Sequence, residues 1–182
     1  MEDPNTWDFI VNGIDASLAN SLRRVMISQV STNVIDIVTI KENDSSLCDE
    51  MIAHRLGQIP LCKTKDYQEG LVEYKIKLEE IGPKSVYSRD IIFPPGFEPV
   101  SKDIILLRLD KDACIRLVGN IEEGIGKDHY KFSPCCGTSY EKLTDTSFKF
   151  HIEVTGCITA RECWFKAIDI LREELIAYKK LL

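Results

Sequence analysis

The chain has 182 residues, 44% of them hydrophobic and 29% charged, the balance of a folded protein with one domain or two small ones. Disordered, collagen-like and mucin-like classes are excluded, and no stretch approaches about eighteen consecutive apolar residues, so no membrane-spanning helix is expected. The net charge of −6, from 23 basic and 29 acidic residues, argues against a dominant phosphate-binding surface.

The first elements are short. Trp7–Val11 reads as a strand closed by the turn pair Asn12-Gly13. A helix follows, capped by Asp15 or Ser17, with Leu18, Leu22, Val25 and Met26 at helical spacing and Asn20, Arg23 and Arg24 on its polar side. Val34–Ile40 is rich in β-branched residues and reads as a strand. Asn43–Ser46 offers N-caps for a second helix over Leu47–Leu56, stopped by Gly57 and Pro60.

The middle of the chain is strands and loops. Leu71–Leu78 alternates apolar and polar residues, the pattern of a half-buried antiparallel strand. Ile81–Val100 is broken by glycines and prolines and is expected to be mostly loop. Ile104–Leu109 and Cys114–Val118 read as strands on either side of an Asp110-Lys-Asp112 turn, and Glu122–Gly137 as loop. Phe148, Phe150, Ile152 and Val154 alternate with Lys149, His151 and Glu153 in a further half-buried strand.

The last element is a helix opened by the capping box Thr159-x-x-Glu162, with Lys179 and Lys180 at its negative end. Trp164, Ile168, Leu171, Leu175, Tyr178 and Leu182 form one apolar stripe, and Cys163, Ala167, Ile170, Ala177 and Leu181 form a second beside it. Thirteen of the twenty residues from Cys163 to Leu182 are apolar, more than one buried face needs. Two stripes fit either a central core helix or a helix shared between its own sheet and a partner. Leaving four large side chains bare would forfeit on the order of 6–12 kcal/mol of burial.

No constellation assembles an enzyme site. The acidic, polar segment Met1–Asp8 is not a secretory signal, and the seven cysteines are an odd number, so a reduced intracellular protein is expected rather than a disulfide scaffold. No C-x-x-C pair exists, so a zinc site is disfavoured on spacing; no cofactor is expected. Gly124-Ile-Gly126-Lys127 lacks phosphate-loop spacing. His151 reads as exposed and His54 as structural, while His129 with Cys135 suggests at most a weak Cys–His nucleophile. Asp49 and Glu50 suit a helix N-terminus, and Arg23 and Arg24 suit either solvent or a partner's carboxylates.

Three blocks in order carry a family resemblance: Gly13–Ile27 with Ala19-Asn-Ser-Leu-Arg-Arg24 inside it, Asp49-Glu-Met-Ile-Ala-His-Arg-Leu-Gly-Gln-Ile-Pro-Leu61, and Gly124-Ile-Gly-Lys-Asp-His-Tyr-Lys-Phe-Ser-Pro134. With Val86-Tyr-Ser-Arg-Asp90, they resemble the third subunit of eukaryotic RNA polymerase II and the archaeal D subunit, relatives of the N-terminal domain of the bacterial alpha subunit. The resemblance runs from about Phe9 into the last helix and departs at Gln58 and Phe132, where leucine and tryptophan are usual.

The resemblance implies an α+β fold: a discontinuous dimerisation domain of residues 1–43 and 145–182, an antiparallel sheet with two helices, and an inserted, mostly β domain over 44–144. It implies a non-catalytic assembly subunit of a multisubunit DNA-dependent RNA polymerase, with no catalytic residue and chemistry left to the large subunits. Leu18, Leu22, Met26, Trp164, Ile168, Leu171, Leu175, Tyr178 and Leu182 would face an eleventh-subunit-like partner (L in archaea). Arg23, Arg24, Asp49, Glu50, His54, Arg55, Lys127 and His129 would dock onto the second-largest and largest subunits, with tenth- and twelfth-subunit-like proteins as further neighbours.

Neither membrane binding nor direct sequence-specific nucleic-acid binding is implied. Many relatives carry a cysteine-rich metal module in the insert, but Pro60–Arg89 is too short for one and holds only Cys62. A minimal insert without a C-terminal tail suits a large DNA virus's own polymerase, which would place the chain in a virion as well as in nucleus or cytoplasm. Two alternatives remain at this stage: an alpha-like homodimeric scaffold, and a small cysteine-dependent enzyme using Cys135 and His129.

Overall fold

The computed structural model describes residues 3–68 and 74–181. In chain order the elements are β1 (Thr6–Asn12), α1 (Ala16–Ser28), β2 (Ser31–Asn43), α2 (Asp49–Gly57), β3 (Leu61–Lys63), β4 (Tyr74–Ile81), β5 (Lys84–Tyr87), β6 (Phe97–Pro99), β7 (Ile105–Leu109), β8 (Cys114–Ile125), β9 (Cys135–Thr144), β10 (Ser147–Val154) and α3 (Ala160–Lys179). Short 3-10 turns lie at Ser88–Asp90 and Tyr130–Phe132. The fold is α+β with antiparallel pairing. It divides into two compact units, residues 1–32 with 124–182, and residues 33–123.

The first unit is an antiparallel sheet in the order β1-β10-β9 with helices α1 and α3 packed on it. Alternation along β10 sends Phe148, Phe150, Ile152 and Val154 into the core, and Lys149 and Glu153 to the exposed face. The inward residues meet Ala19, Leu22, Val25 and Met26 of α1 and Cys163, Trp164 and Ala167 of α3 in one apolar cluster. Phe150 lies edge-on to Trp164, with ring centroids 4.9 Å apart. His151, expected to be exposed, is half-exposed and its Nδ1 stands 3.1 Å from an Asp8 carboxylate oxygen.

The second unit holds a sheet in the order β2-β8-β4, the ribbons β3-β6 and β5-β7, and α2. Its core gathers Ile35, Ile52, Leu56, Ile59, Ile76, Leu78, Ile115 and Leu117. Gly119 passes close over Ile35 and Ile76: a Cβ there would meet them at 3.0 and 3.1 Å.

Several elements differ from the sequence expectation. β8 runs through Gly119 to Ile125 rather than ending near Val118, because the glycine marks a close crossing and not a turn. β9 lies in a stretch with no apolar alternation; pairing with β10 makes it a strand. Short strands β5 and β6 occupy the segment expected to be mostly loop, each paired to a distant partner. The strands flanking the Asp110–Asp112 turn do not pair with each other: β7 pairs β5 and β8 pairs β4.

Helix α2 starts at Asp49, after Cys48, with no side-chain cap. The expected caps are engaged otherwise, since Asn43 accepts from Ser45 and donates to the Leu47 carbonyl and to Asp49. The expected strand over 71–78 is described from Tyr74; Leu71, Val72 and Glu73 lie outside the described residues.

Candidate partner-binding surface

Helices α1 and α3 are fixed at their N-termini by the predicted caps. Asp15 accepts the Leu18 N–H at 2.8 Å. Thr159 Oγ1 accepts the Glu162 N–H at 3.2 Å, while Glu162 Oε2 accepts the Thr159 N–H at 2.9 Å. These bonds hold the Glu162 carboxyl below its ordinary range, the Thr159 backbone N–H being the largest cause.

Where α1 and α3 run side by side they leave an apolar groove of about 520 Å³. Leu18, Leu22, Trp164, Ile168, Leu171 and Leu175 line it together, joined by Val11, Ile14 and Ile176, with Arg172 and Lys179 bringing cationic ends to it. Beyond Leu171 the large apolar side chains lose much of their cover: Leu175 is 60% exposed, Ile176 46%, Tyr178 65% and, just past the helix, Leu181 82%. A run of four large apolar side chains in this state is a surface built to be covered.

The expected partner-facing residues thus separate by depth. Leu18, Ile168, Leu171 and Leu175 are accessible in the groove, and Tyr178 is exposed beyond it. Leu22 and Trp164 are buried but still line the groove wall. Met26 is wholly buried in the unit's own core and offers nothing at the surface. Leu182 lies outside the described residues. Val11, Ile14 and Ile176 were not among the expected residues. Val11 and Ile14 flank the Asn12-Gly13 turn, and Ile176 belongs to neither stripe, so helical spacing alone did not select them.

The polar candidates divide between the units. In the first, Arg24 is exposed, Arg23 donates to Asn20 Oδ1 at 2.9 Å, and Lys127 and His129 are exposed on the loop before the turn at Tyr130–Phe132. That loop is tied to α1 by the Lys127 N–H, which donates to the Ser28 carbonyl at 2.8 Å. In the second, Asp49, Glu50 and His54 are exposed on α2, whereas the Arg55 guanidinium donates to the Ile105 carbonyl at the start of β7.

The alternative nucleophile does not assemble. The Cys135 thiol is buried against the Met26 carbonyl and the Cys163 thiol, while His129 Nδ1 accepts the Lys131 N–H at 3.1 Å. Among the described residues one cluster, Glu42, Asp44 and Cys114, gathers three donor atoms within 4.8 Å. Its thiol donates to Asp44 at 3.1 Å, which pushes Cys114 up to about 12, and Arg116 pairs with Glu42 at 3.2 Å. A thiol held protonated beside an arginine-paired carboxylate is a poor ligand set.

Comparison with known proteins places these features in a family. The family model of the RNA polymerase Rpb3/Rpb11 dimerisation domain matches residues 8–175. The chain is 39% identical over 158 residues to DNA-directed RNA polymerase subunit Rpo3 of Methanocaldococcus jannaschii, covering 87% of this chain and 81% of that one. It is 36% identical over 159 residues to DNA-directed RNA polymerase II subunit rpb3 of Dictyostelium discoideum, covering 73% of this chain and 53% of that one. Against human DNA-directed RNA polymerases I and III subunit RPAC1 it is 28% identical over 214 residues, covering 94% of this chain and 61% of the relative. It therefore spans about half the length of the Dictyostelium relative and most of the Methanocaldococcus one. A matched domain over nearly the whole chain, on a sheet carrying two helices with an uncovered apolar groove, makes this chain a member of the Rpb3/Rpb11 dimerisation-domain family of RNA polymerase subunits.

Proposed function

We propose that this chain is a non-catalytic assembly subunit of a multisubunit DNA-dependent RNA polymerase, working inside the cell. It pairs through the α1–α3 groove with a smaller, eleventh-subunit-like partner and docks by its polar loops onto the largest and second-largest subunits, which carry the chemistry. The observation that carries this is the uncovered end of α3, with Leu175, Ile176, Tyr178 and Leu181 bare beside an apolar groove. A helix of the partner, apolar on one face and acidic where it meets Arg172 and Lys179, fits that groove.

The dimerisation domain expected over 1–43 with 145–182 takes the bounds 1–32 with 124–182 in this proposal, and the insert expected over 44–144 takes 33–123, following the two compact units. Arg23, Arg24, Lys127 and His129 on the first, and Asp49, Glu50, His54 and Arg55 on the second, serve the large subunits. The role needs no metal or cofactor.

The decisive experiment is purification of the chain from its native source and identification of its companions, together with size measurement of the chain expressed alone. Polymerase subunits are expected to co-purify. Expressed alone, the chain is expected to aggregate and to be rescued by a small partner bearing the same domain. A clean soluble homodimer would favour an alpha-like arrangement. A well-behaved monomer with no companions would overturn the proposal.

A further inference from the structure

Seven free cysteines are present, and four of them, Cys135, Cys136, Cys157 and Cys163, belong to the first unit. Two of these four meet. Cys135, the first residue of β9, and Cys163, in the first turn of α3, bring their Sγ atoms to 3.6 Å although 28 residues separate them in the chain. They are 3% and 0% exposed. The Cys135 sulfur also lies 3.6 Å from the carbonyl oxygen of Met26 on α1, so the pair sits where β9, α1 and α3 meet.

We propose that Cys135 and Cys163 are an oxidative modification site, a dithiol that a peroxide converts to a reversible disulfide joining β9 to the root of α3. No such role follows from polymerase assembly, and the inference stands whether or not the groove binds the partner proposed above.

The chemistry balances with hydrogen peroxide as the oxidant. The Cys135 sulfur, as thiolate, attacks one peroxide oxygen. The O–O bond breaks, and the departing hydroxide takes up the thiol's proton as water, leaving a sulfenic acid. The Cys163 sulfur then attacks the Cys135 sulfur. The S–O bond breaks, and a second water leaves with the Cys163 proton. Two thiols lose two electrons and one peroxide becomes two waters.

The surroundings choose the attacking sulfur. Of the five thiols whose acidity departs from the ordinary value, Cys135 alone is made more acidic, chiefly by the hydrogen bond from Cys163. That bond and burial push Cys163 up, so it remains the protonated resolving thiol. Cys136, next in sequence and exposed, is made less acidic by burial of its sulfur and by Glu153. Burial of the pair makes the reaction slow and tied to local opening of the α3 root.

The test uses the full chain together with whatever subunits co-purify. It is treated with graded hydrogen peroxide, unfolded in N-ethylmaleimide, digested with trypsin without reductant and mapped by mass spectrometry. The expected product joins the peptides 132–142 and 162–166. The link persists in Cys136→Ser, is reversed by dithiothreitol, and raises Tm by several degrees. In Cys163→Ser the link disappears and dimedone traps Cys135 as its sulfenic acid. Linkage through Cys136 or Cys157 would overturn the proposal. So would recovery of both residues as alkylated thiols under peroxide that oxidises Cys48 and Cys136. Because Cys135 and Cys136 share the peptide 132–142, fragmentation of the wild-type linked peptide between them decides the question even if a serine variant does not fold.

Discussion

Gly126 lies flush against the backbone of Ile27, close enough that a methyl group on its Cα would meet the Ile27 carbonyl oxygen at 2.2 Å. The contact joins the Gly124–Pro134 loop to the C-terminal turn of α1, beside the hydrogen bond from the Lys127 N–H to Ser28. The obstacle is backbone, which cannot rotate aside. Gly126→Ala is therefore expected to cost about 1–3 kcal/mol, read as a lowered urea midpoint. Gly13→Ala is the comparison. It strains a left-handed φ of +82° but has nothing within 4 Å, so its cost is expected to be about 1 kcal/mol.

Leu175→Asp separates folding from assembly. Leu175 is 60% exposed in the chain alone, so the substitution is expected to change its stability by no more than about 0.5 kcal/mol. In a complex the same aspartate would be buried without a partner, and co-purification of the small subunit is expected to be lost. Leu171→Asp, deeper in the groove, is expected to lose binding and some stability together. Retained co-purification by Leu175→Asp would show that the groove is not the interface.

The capping box gives α3 a measurable pH dependence. Folding lowers the Glu162 pKa from its ordinary 4.5, so the unfolded chain binds the proton more readily. The stabilisation is fully present above that ordinary value and is lost as the pH falls through the lower, folded one. Glu162→Gln keeps a side chain able to accept from Thr159, so its loss at neutral pH is expected to stay under about 1 kcal/mol. Urea midpoints from about pH 6 to about pH 3 are expected to fall less steeply in Glu162→Gln than in the wild type.

Arg55 tests the division between docking and structure. Its guanidinium donates to the Ile105 carbonyl, tying α2 to β7. Arg55→Met keeps the apolar stem but orphans that carbonyl, and a loss of about 1–2 kcal/mol in the isolated chain is expected. His54→Ala, on the exposed side of the same helix, is expected to leave stability within about 0.5 kcal/mol. An Arg55→Met chain as stable as the wild type would return Arg55 to a purely docking role.

The readable parts of this sequence were those written in local rules. The Thr159–Glu162 box, the Asp15 cap and the alternation from Phe148 to Val154 each depend on residues within a few positions, and each appears as expected. β9 was hidden because Cys135–Thr144 carries no periodic signal of its own. The start of α2 was misplaced because Asn43 and Ser45 bond each other, the Leu47 carbonyl and the Asp49 side chain rather than the free N–H groups of the helix. The doubled stripe of α3 left a core helix and a shared helix equally open, because periodicity counts apolar faces and not what covers them. The helical spacing of α1 did not reveal that Met26 turns wholly inward, since spacing assigns a face and not a depth.

The pairing of Thr6 with Glu153, and of Asn12 with Ser147, sets an order of events at the ribosome. β1 must wait for its neighbour β10 until the whole of residues 33–123 has been made, and those residues form a contiguous unit that is complete earlier. During translation α1, with apolar Leu22, Val25 and Met26, is therefore left unsheltered, a natural client for chaperones until β10 and α3 follow.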